Sequence, residues 1–480
     1  MFNSANFLFM KLGLMMNSVV IAVDLGAESG RVIAAELNEQ VKLVEMGRFL
    51  NKPRFKDGHL RWDMDALWAG IIEGLSTAAK QYGDRIVSIA CDTWAVDYAL
   101  LDADDNVIEE AVCYRDSRTE GIVEEVEAKF GANVIWERTG IRNLPFNTIF
   151  QLLALQKSDP EKLNKADWML TIPDYLAWKL SGVKSNEWTN ASSTGIAKPD
   201  GSAWDLDLIT KLGLGGLAIF DKPLTKSGTD LACVSSETSQ LTGLSPSVKV
   251  LTCAAHDTGS AVVLTPPGEG QFFISSGTWS LMGMISGKAL MSQAAKDALL
   301  SNELAWDGRS RPLKNIMGLW VLQNCRRTWN EEGGAAWTYP ELVEFARSAK
   351  DVNLVLDVDD EIFFEQHSKE NPYADRVIKW FADRGVELTD DEGSISRAVM
   401  RGLAHAYGKT LKELEQVSGQ KAQQLTILGG GGRNQLLVEM TQELCDCPVR
   451  MGAFEATSLG NAAIQAYALG LISREAIAKL

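Results

Sequence analysis

The chain has 480 residues, with 47 Lys and Arg against 63 Asp and Glu, a formal net charge of −16. Hydrophobic residues make up 46% and charged residues 23%, enough apolar content for a self-supporting globular core. The acidic balance excludes a generic binder of nucleic acid or anionic membrane, which needs a basic face. It does not exclude a nucleotide ligand, whose phosphates can be held by backbone N–H groups.

Residues 1–18 read as an N-terminal extension, upstream of a start at Met15 or Met16, rather than a signal peptide. Lys11 is the only early charge and no A-x-A cleavage site follows. No apolar run reaches the ~18 residues that a membrane span needs. Val19–Leu37 predicts strand, Gly-containing turn, strand. Asp63–Tyr82 predicts a helix with Trp62, Leu67, Ile71, Leu75 and Ala78 along one face. Arg85–Ala90 predicts a strand entering the loop CDTWAVD, and Tyr98–Leu101 another.

Val248–Cys253 is a strand leading into AAHDTGSAV, and the turn signal PPGEG at 266–270 marks a domain boundary. Gln271–Met284 then repeats the pattern of strand, small-residue turn, strand. Two such hairpins point to a duplicated core with a cleft between its halves. The charged stretch Asp351–Arg384 is expected to be irregular and on the surface. Ser394–Ser418 predicts a helix capped by Ser394 and stopped by Gly419. Leu425–Leu428 predicts a strand ending in GGGGRN, followed by a helix carrying Leu436, Leu437, Met440 and Leu444.

The seven cysteines are odd in number and scattered, which fits a reducing cytoplasm better than a disulfide framework. The four histidines (59, 256, 367 and 405) lie far apart, so a His-based metal centre would have to be assembled by the fold.

Four places carry candidate chemistry. In Asp24-Leu-Gly-Ala-Glu-Ser-Gly-Arg31, the glycines let backbone N–H groups converge on an anion. Arg31 can neutralise phosphate, and Asp24 can orient Mg²⁺ through water; the alternative is an ordinary hairpin turn. The glycine run 429–432 permits close approach of a ligand. In Ala254-Ala-His-Asp-Thr-Gly-Ser260, Asp257 stands where a strand yields to a helix, placed either to accept a proton from an attacking alcohol or simply to cap the helix. CDTWAVD, YRDSR and KNIMGLW mix aromatics with fixed polar groups, as sugars require, or as core rings beside salt bridges would.

Taken in order, DLGAESGR, CDTWAVD, YRDSRT, LPFNTIFQLLAL, PDYLAWKLSG, AAHDTGSAV, SSGTWSLMG, KNIMGLWVLQ, LGGGGRN and EATSLGNAAIQA resemble the FGGY carbohydrate kinases from about Val19 to Ala468. The resemblance implies an α/β fold of two RNase-H-like domains, of the actin/hexokinase ATPase type, around a central cleft. Residues 19–265 would form the sugar-binding domain with the phosphate loop, and 266–480 the nucleotide-binding domain.

The resemblance also implies ATP and Mg²⁺ as cofactors, a small ketose as partner, no nucleic acid or membrane partner, and a monomer or homodimer. It assigns Ala27, Glu28, Ser29, Gly30 and Arg31 to the loop facing the ATP phosphates. Thr278 becomes a second phosphate contact, and Gln323, Gly430 and Gly431 lie on the nucleotide. Asp257 matches the proton acceptor, and Ala95, His256, Thr258 and Asn315 match sugar-contacting positions. The implied reaction is phosphorylation of L-rhamnulose at its C1 hydroxyl. Two residues depart from the pattern: Glu28 replaces a small serine in the phosphate loop, and Ala95 replaces a glycine. The second leaves L-fuculose or another ketose as the alternative substrate, with a non-catalytic sugar- or nucleotide-responsive regulator as a third reading.

Overall fold

The computed structural model describes residues 17–477 except 39, 267, 333, 335 and 365–370. Most of the predicted extension, His367 and Pro267 of the predicted boundary turn therefore lie outside the described residues. The first strand, β1 (Ser18–Leu25), is buried along its whole length. Its run SVVIAVDL has no polar alternation, as expected of a strand covered on both faces. It pairs antiparallel with β2 (Ser29–Leu37), which pairs antiparallel with β3 (Val41–Leu50).

Helix α1 (Met64–Tyr82) follows, with Asp63 accepting from the backbone N–H of Ala66 as its cap. Its predicted apolar face is buried against this sheet. Strand β4 (Ile86–Thr93) then returns parallel to β1 on the side away from β2. Strands β5 (Asp230–Cys233) and β6 (Lys249–Leu251) complete a six-stranded sheet in the order β5-β6-β4-β1-β2-β3. Helix α2 (Asp257–Ala261) leaves the end of β6.

The second half repeats this plan. Strands β7 (Gln271–Ser276), β8 (Ser280–Met284), β9 (Ser301–Leu304), β10 (Ser310–Ile316), β11 (Gln424–Leu428) and β12 (Val449–Met451) form a sheet ordered β9-β10-β8-β7-β11-β12. Here β7, β8, β10 and β9 pair antiparallel in turn, and β11 and β12 are the parallel additions beside β7. In each sheet the first hairpin turn, residues 26–28 or 277–279, is followed round by the loop after the adjacent parallel strand, residues 94–97 or 429–433. Ligands of α/β sheets collect at such strand ends, where the chain direction of crossovers switches.

Helices α3 (Trp320–Glu332), α4 (Tyr373–Ala382), α5 (Glu392–Ser418) and α6 (Gln435–Leu444) belong to the second half. Two expectations change here. The cap of α5 is Asp391, whose carboxylate accepts from Ser394 N at 2.8 Å, and the Ser394 hydroxyl donates back to Asp391 Oδ2 at 2.8 Å. An acidic side chain stabilises the helix N-terminus more than a hydroxyl does. The stretch 351–384 is not merely irregular surface. It contains α4, whose Tyr373, Val377, Trp380 and Phe381 enter the core together with Leu356, Val358 and Phe363.

The last long helix, α7 (Ala456–Ala468), crosses back to the first sheet and packs on β1 and β4. It carries a polar seam. Asn461 Nδ2 donates to Asp92 Oδ2 at 2.5 Å, Ser458 Oγ to Asp24 Oδ2 at 2.6 Å, and Gln465 Nε2 to Ile21 O at 2.9 Å; Gln465 Oε1 accepts from Ser88 Oγ at 2.6 Å. Gly460 sits on α2, and a Cβ there would be driven into the Ser260 carbonyl. Exchange of glycine for alanine inside a helix ordinarily gains up to ~1 kcal/mol. Gly460→Ala is expected to reverse that sign and destabilise the protein by about 1–3 kcal/mol through overpacking. Chemical denaturation reads this, and an unchanged or raised midpoint would show that α7 and α2 do not pack this closely.

Candidate active site

A cavity of about 390 Å³ lies between the two sheets. The first hairpin turn brings Gly26, Ala27, Glu28 and Ser29 to its wall, and the second brings Gly277, Thr278 and Trp279. The loop after β4 adds Trp94, Ala95 and Val96, the start of α2 adds His256, Asp257 and Thr258, and β10 and α3 add Asn315 and Gln323. Most of the residues singled out from the sequence thus meet around one cavity. Gly30, Arg31, Asp24, Gly430 and Gly431 are not part of its lining.

Arg31 and Asp24 are already partnered. Arg31 Nη2 lies 2.6 Å from Asp24 Oδ2, and Nη1 pairs with Glu455 at the start of α7. The Asp24 carboxylate also accepts from Ser458. The Arg31 pairing ties the first hairpin to the start of α7. The contacts from Arg31 and Ser458 both fall on Oδ2 of Asp24. Among the described residues no group of three or more His, Cys, Asp or Glu side chains could hold a metal ion.

The glycine run has a packing reason as well. A Cβ on Gly431 would strike the Ser276 hydroxyl, whereas one on Gly430 would meet nothing within 4 Å. Gly429 has φ +81°, a conformation that favours glycine. The glycine loop therefore rides against the strand end that carries Thr278, leaving Gly430 as its open member. Gln323 Oε1 is buried and has no hydrogen-bond partner, so an acceptor is available beside the cavity.

Asp257 begins α2, with Oδ1 accepting from Thr258 N at 2.5 Å. His256 Nε2 is 3.4 Å from the same oxygen. Enclosure by the cleft pushes the Asp257 carboxyl above its ordinary value; His256 draws it part of the way back, and Asp24 adds to the rise. Asp92 behind it is fully buried, with Oδ1 lacking a partner, and is held well above the carboxylate range by burial and by Asp24.

The loop CDTWAVD is organised by Asp97. This buried carboxylate accepts from Trp62 Nε1 at 2.6 Å, Trp94 Nε1 at 2.9 Å and Tyr114 N at 3.1 Å through Oδ2, and from Gln151 Nε2 at 3.0 Å through Oδ1. Its backbone N–H donates to Ala95 O at 3.0 Å, closing a three-residue turn about Val96 at φ +70°. A β-branched residue is strained there. The Asp97 bonds and those donated to Val96 O by Thr148 and Gln151 hold the turn against that strain.

The motifs CDTWAVD and YRDSR supply several of the aromatic and cationic groups, but the sequence does not show how they are joined. Trp62, Trp94, Tyr114, Phe146, Trp279 and Phe364 form a file of rings 4.3–6.3 Å apart that runs from the first half into the second. Arg115 lies over both Tyr114 and Trp320, and its buried Nη2 has no hydrogen-bond partner. Glu303 on β9 and Arg311 on β10 face each other in register and reach His256. The Asp307-Gly308 turn between their strands is a hairpin signal that would have paired them.

Models of two domains match almost end to end: the N-terminal domain of the FGGY family of carbohydrate kinases over residues 19–263, and its C-terminal domain over 272–469. The chain belongs to the FGGY family of carbohydrate kinases. It is therefore a phosphotransferase acting on a sugar hydroxyl. It is 36% identical over 452 residues to a rhamnulokinase of Halalkalibacterium halodurans, covering 94% of each chain. It is 35% identical over 455 residues to a rhamnulokinase of Oceanobacillus iheyensis, covering 94% of this chain and 93% of that one.

In fold it matches a ligand-bound xylulose kinase from Lactobacillus acidophilus with a TM-score of 0.78 at 17% identity, covering 96% of this chain and 92% of that one. It also matches a Plasmodium falciparum glycerol kinase with ADP, with a TM-score of 0.76 at 17% identity, covering 97% and 92%. The expected α/β architecture of two actin/hexokinase-type domains is thus observed. No helix among the described residues is long and apolar enough to cross a membrane.

The buried carboxyls make stability depend on pH. Burial raises Asp97 to about 6, Asp174 to about 6 and Glu187 to about 7, against ordinary values of 3.8, 3.8 and 4.5. Each binds its proton more tightly folded than unfolded, so its contribution is lost as pH rises through the folded value. His405, lowered by burial, acts in the opposite sense but is outnumbered. The melting temperature of the apoprotein is expected to fall between about pH 5 and pH 7.5, and Glu187→Gln to flatten that slope. A melting temperature that climbs over this interval would contradict the assignment.

Proposed function

We propose that this kinase transfers the γ-phosphoryl group of ATP to the C1 hydroxyl of L-rhamnulose, with Asp257 as the proton acceptor. The observation that carries the reading is Asp257 itself: a carboxylate raised by its enclosure, on the wall of a cavity to which both hairpin turns contribute. The rhamnulokinase names of relatives at 35–36% identity supply the sugar.

In this reading, Ala27, Glu28, Ser29 and Gly30 present the first turn to the polyphosphate, and Thr278 presents the second. Gln323, Gly430 and Gly431 meet the rest of the nucleotide. The ketose lies against Ala95, His256, Thr258 and Asn315. Phosphoryl transfer asks mainly for positioning and charge stabilisation. Asp257 Oδ1 is held by Thr258, which leaves the other carboxylate oxygen to accept the proton as the C1 oxygen bonds to phosphorus and ADP departs. Closure of the two halves would exclude water and suppress ATP hydrolysis.

Mg²⁺ would arrive on the triphosphate and neutralise its charge, with Asp24 meeting its water shell. Arg31 then acts chiefly through its pairs with Asp24 and Glu455, and Arg115 is the nearby cation with an open N–H group. A carboxylate beside the triphosphate would repel it, so Glu28, on the cavity wall, would turn away from the phosphates or help organise Mg²⁺. The two lobes, 19–265 and 266–480, would work in the cytoplasm as a monomer or homodimer.

Asp257→Asn is expected to retain ketose binding while kcat falls by about 10²–10⁴-fold, the range for loss of a general base. Near-normal turnover would remove Asp257 from this role. Because protonation inactivates the base, the acid limb of kcat/KM should lie above the ordinary carboxylate range and disappear in the variant. The Ala95 methyl supports a second reading, in which a different ketose is preferred. A panel of L-rhamnulose, L-fuculose and pentuloses with ATP decides, L-rhamnulose being expected to show the highest kcat/KM; a tenfold preference for another ketose would transfer the assignment.

A further inference from the structure

We propose that Glu303, braced by Arg311, is a positioning residue that fixes His256 in the Nδ1–H tautomer, leaving Nε2 as an acceptor for a ketose hydroxyl beside Asp257. The inference rests on the reading of His256 and Asp257 as the sugar-facing pair, and extends it into the second half of the chain.

The geometry decides the tautomer. His256 Nδ1 is 2.8 Å from Glu303 Oε2. If Nδ1 carried no proton, two lone pairs would face each other at that distance in a buried site, where such repulsion is weakly screened. A proton on Nδ1 turns the contact into a charge-assisted hydrogen bond. Arg311 Nη2 donates to the same Glu303 oxygen and also lies within hydrogen-bond distance of Nδ1, at 3.0 Å. A bond from Arg311 to Nδ1 would need that nitrogen bare and would leave the shorter Nδ1–Glu303 contact as two facing lone pairs, so the proton is assigned to Nδ1 and both donors converge on the carboxylate.

Glu303 is ionised in this arrangement. Burial alone would raise it, but the hydrogen bond from His256 Nδ1–H and the Arg311 cation hold it below its ordinary value. Arg311 is fully buried, and its Nε and Nη1 have no hydrogen-bond partners. A buried cation with open N–H groups is costly, and its service to Glu303 accounts for its retention. The antiparallel register of β9 and β10 sets Glu303 opposite Arg311, so the second sheet delivers both groups as one rigid unit. Both His256 and Glu303 reach the cavity wall.

With Nδ1 protonated, a neutral His256 offers only a lone pair at Nε2, 3.4 Å from Asp257 Oδ1. Two acceptors side by side cannot satisfy each other. They are completed by hydroxyl protons, which a polyol supplies. Glu303 thereby sets which hydrogen-bonding sense the sugar must present, as outer carboxylates do for metal-bound imidazoles.

The test is ¹⁵N NMR of the histidine side chains in the full-length protein at pH 8, with His256 assigned by its loss in His256→Asn. The expected spectrum shows His256 protonated on Nδ1 and bare on Nε2. A protonated Nε2, whether as the other tautomer or as the cation, overturns the proposal. This readout needs no substrate, so it stands even if the ketose is misassigned.

Glu303→Gln is expected to mix the tautomers and to raise KM for the ketose by about tenfold, leaving KM for ATP within about twofold. Glu303→Asp should restore part of the tautomer preference. Should Glu303→Gln fail to fold with Arg311 left unpaired, the double variant E303Q/R311M removes both charges and carries the same expectations. An unchanged His256 tautomer in a folded variant, or equal rises in both KM values, would reduce Glu303 to a packing residue.

Discussion

The polar seam under helix α7 is the constraint on which the rest of the molecule depends. Asn461, Ser458 and Gln465 come from the last quarter of the chain, yet their bonds close on Asp92, Asp24, Ser88 and Ile21 of the first sheet. None of these partners is reachable by water once the helix is docked, so an unmade bond would carry its full desolvation cost. Such a network is stable only when every member is in place. It therefore fixes α7 in one position on β1 and β4. Through the contact of Gly460 with Ser260, it also sets the place of α2 and of Asp257 at the start of that helix.

The same seam gathers carboxyl groups behind the cavity. Asp24 is neutralised by Arg31, and Asp92 has only the Asn461 amide. Asp257 stands in front and feels Asp24 as well as its own burial. A proton acceptor needs an affinity raised toward the working pH, and here a low-dielectric wall and the neighbouring Asp24 supply the rise. The acidity of the protein as a whole plays no part in it. What matters is how three aspartates from three separate strand ends are brought behind one another.

Much of this architecture is legible in the order of the amino acids, for definable reasons. The two hairpins announce themselves because a small-residue turn between continuous apolar runs has few other readings. The helix faces of α1 and α5 follow from apolar periodicity, and Asp257 from a strand-to-helix junction with small neighbours. The seam is not legible: within EATSLGNAAIQA nothing in the order of residues names partners for Ser458, Asn461 and Gln465, and only tertiary packing supplies them. The pairing of Arg31 is hidden for the same reason, since its partner Glu455 is 424 residues distant. The core role of Tyr373–Ala382 is masked by the surrounding charges, although Val377, Trp380 and Phe381 share one side of that helix. Glu303 and Arg311 give no signal singly, because their meaning lies in the register of two short strands.

The turn at Val96 has an evolutionary corollary. A β-branched residue at positive φ costs on the order of 1–3 kcal/mol, and the Asp97 carboxylate with its four N–H donors offsets that cost. The two neighbours are therefore epistatic. Loss of Asp97 while Val96 remains leaves a strained loop unsupported, whereas a prior change of Val96 to glycine lowers the penalty for later changes at Asp97. Drift in the wall of the sugar cavity is thus directional, with position 96 the gate through which position 97, and the ring of Trp94 that it holds, can begin to vary.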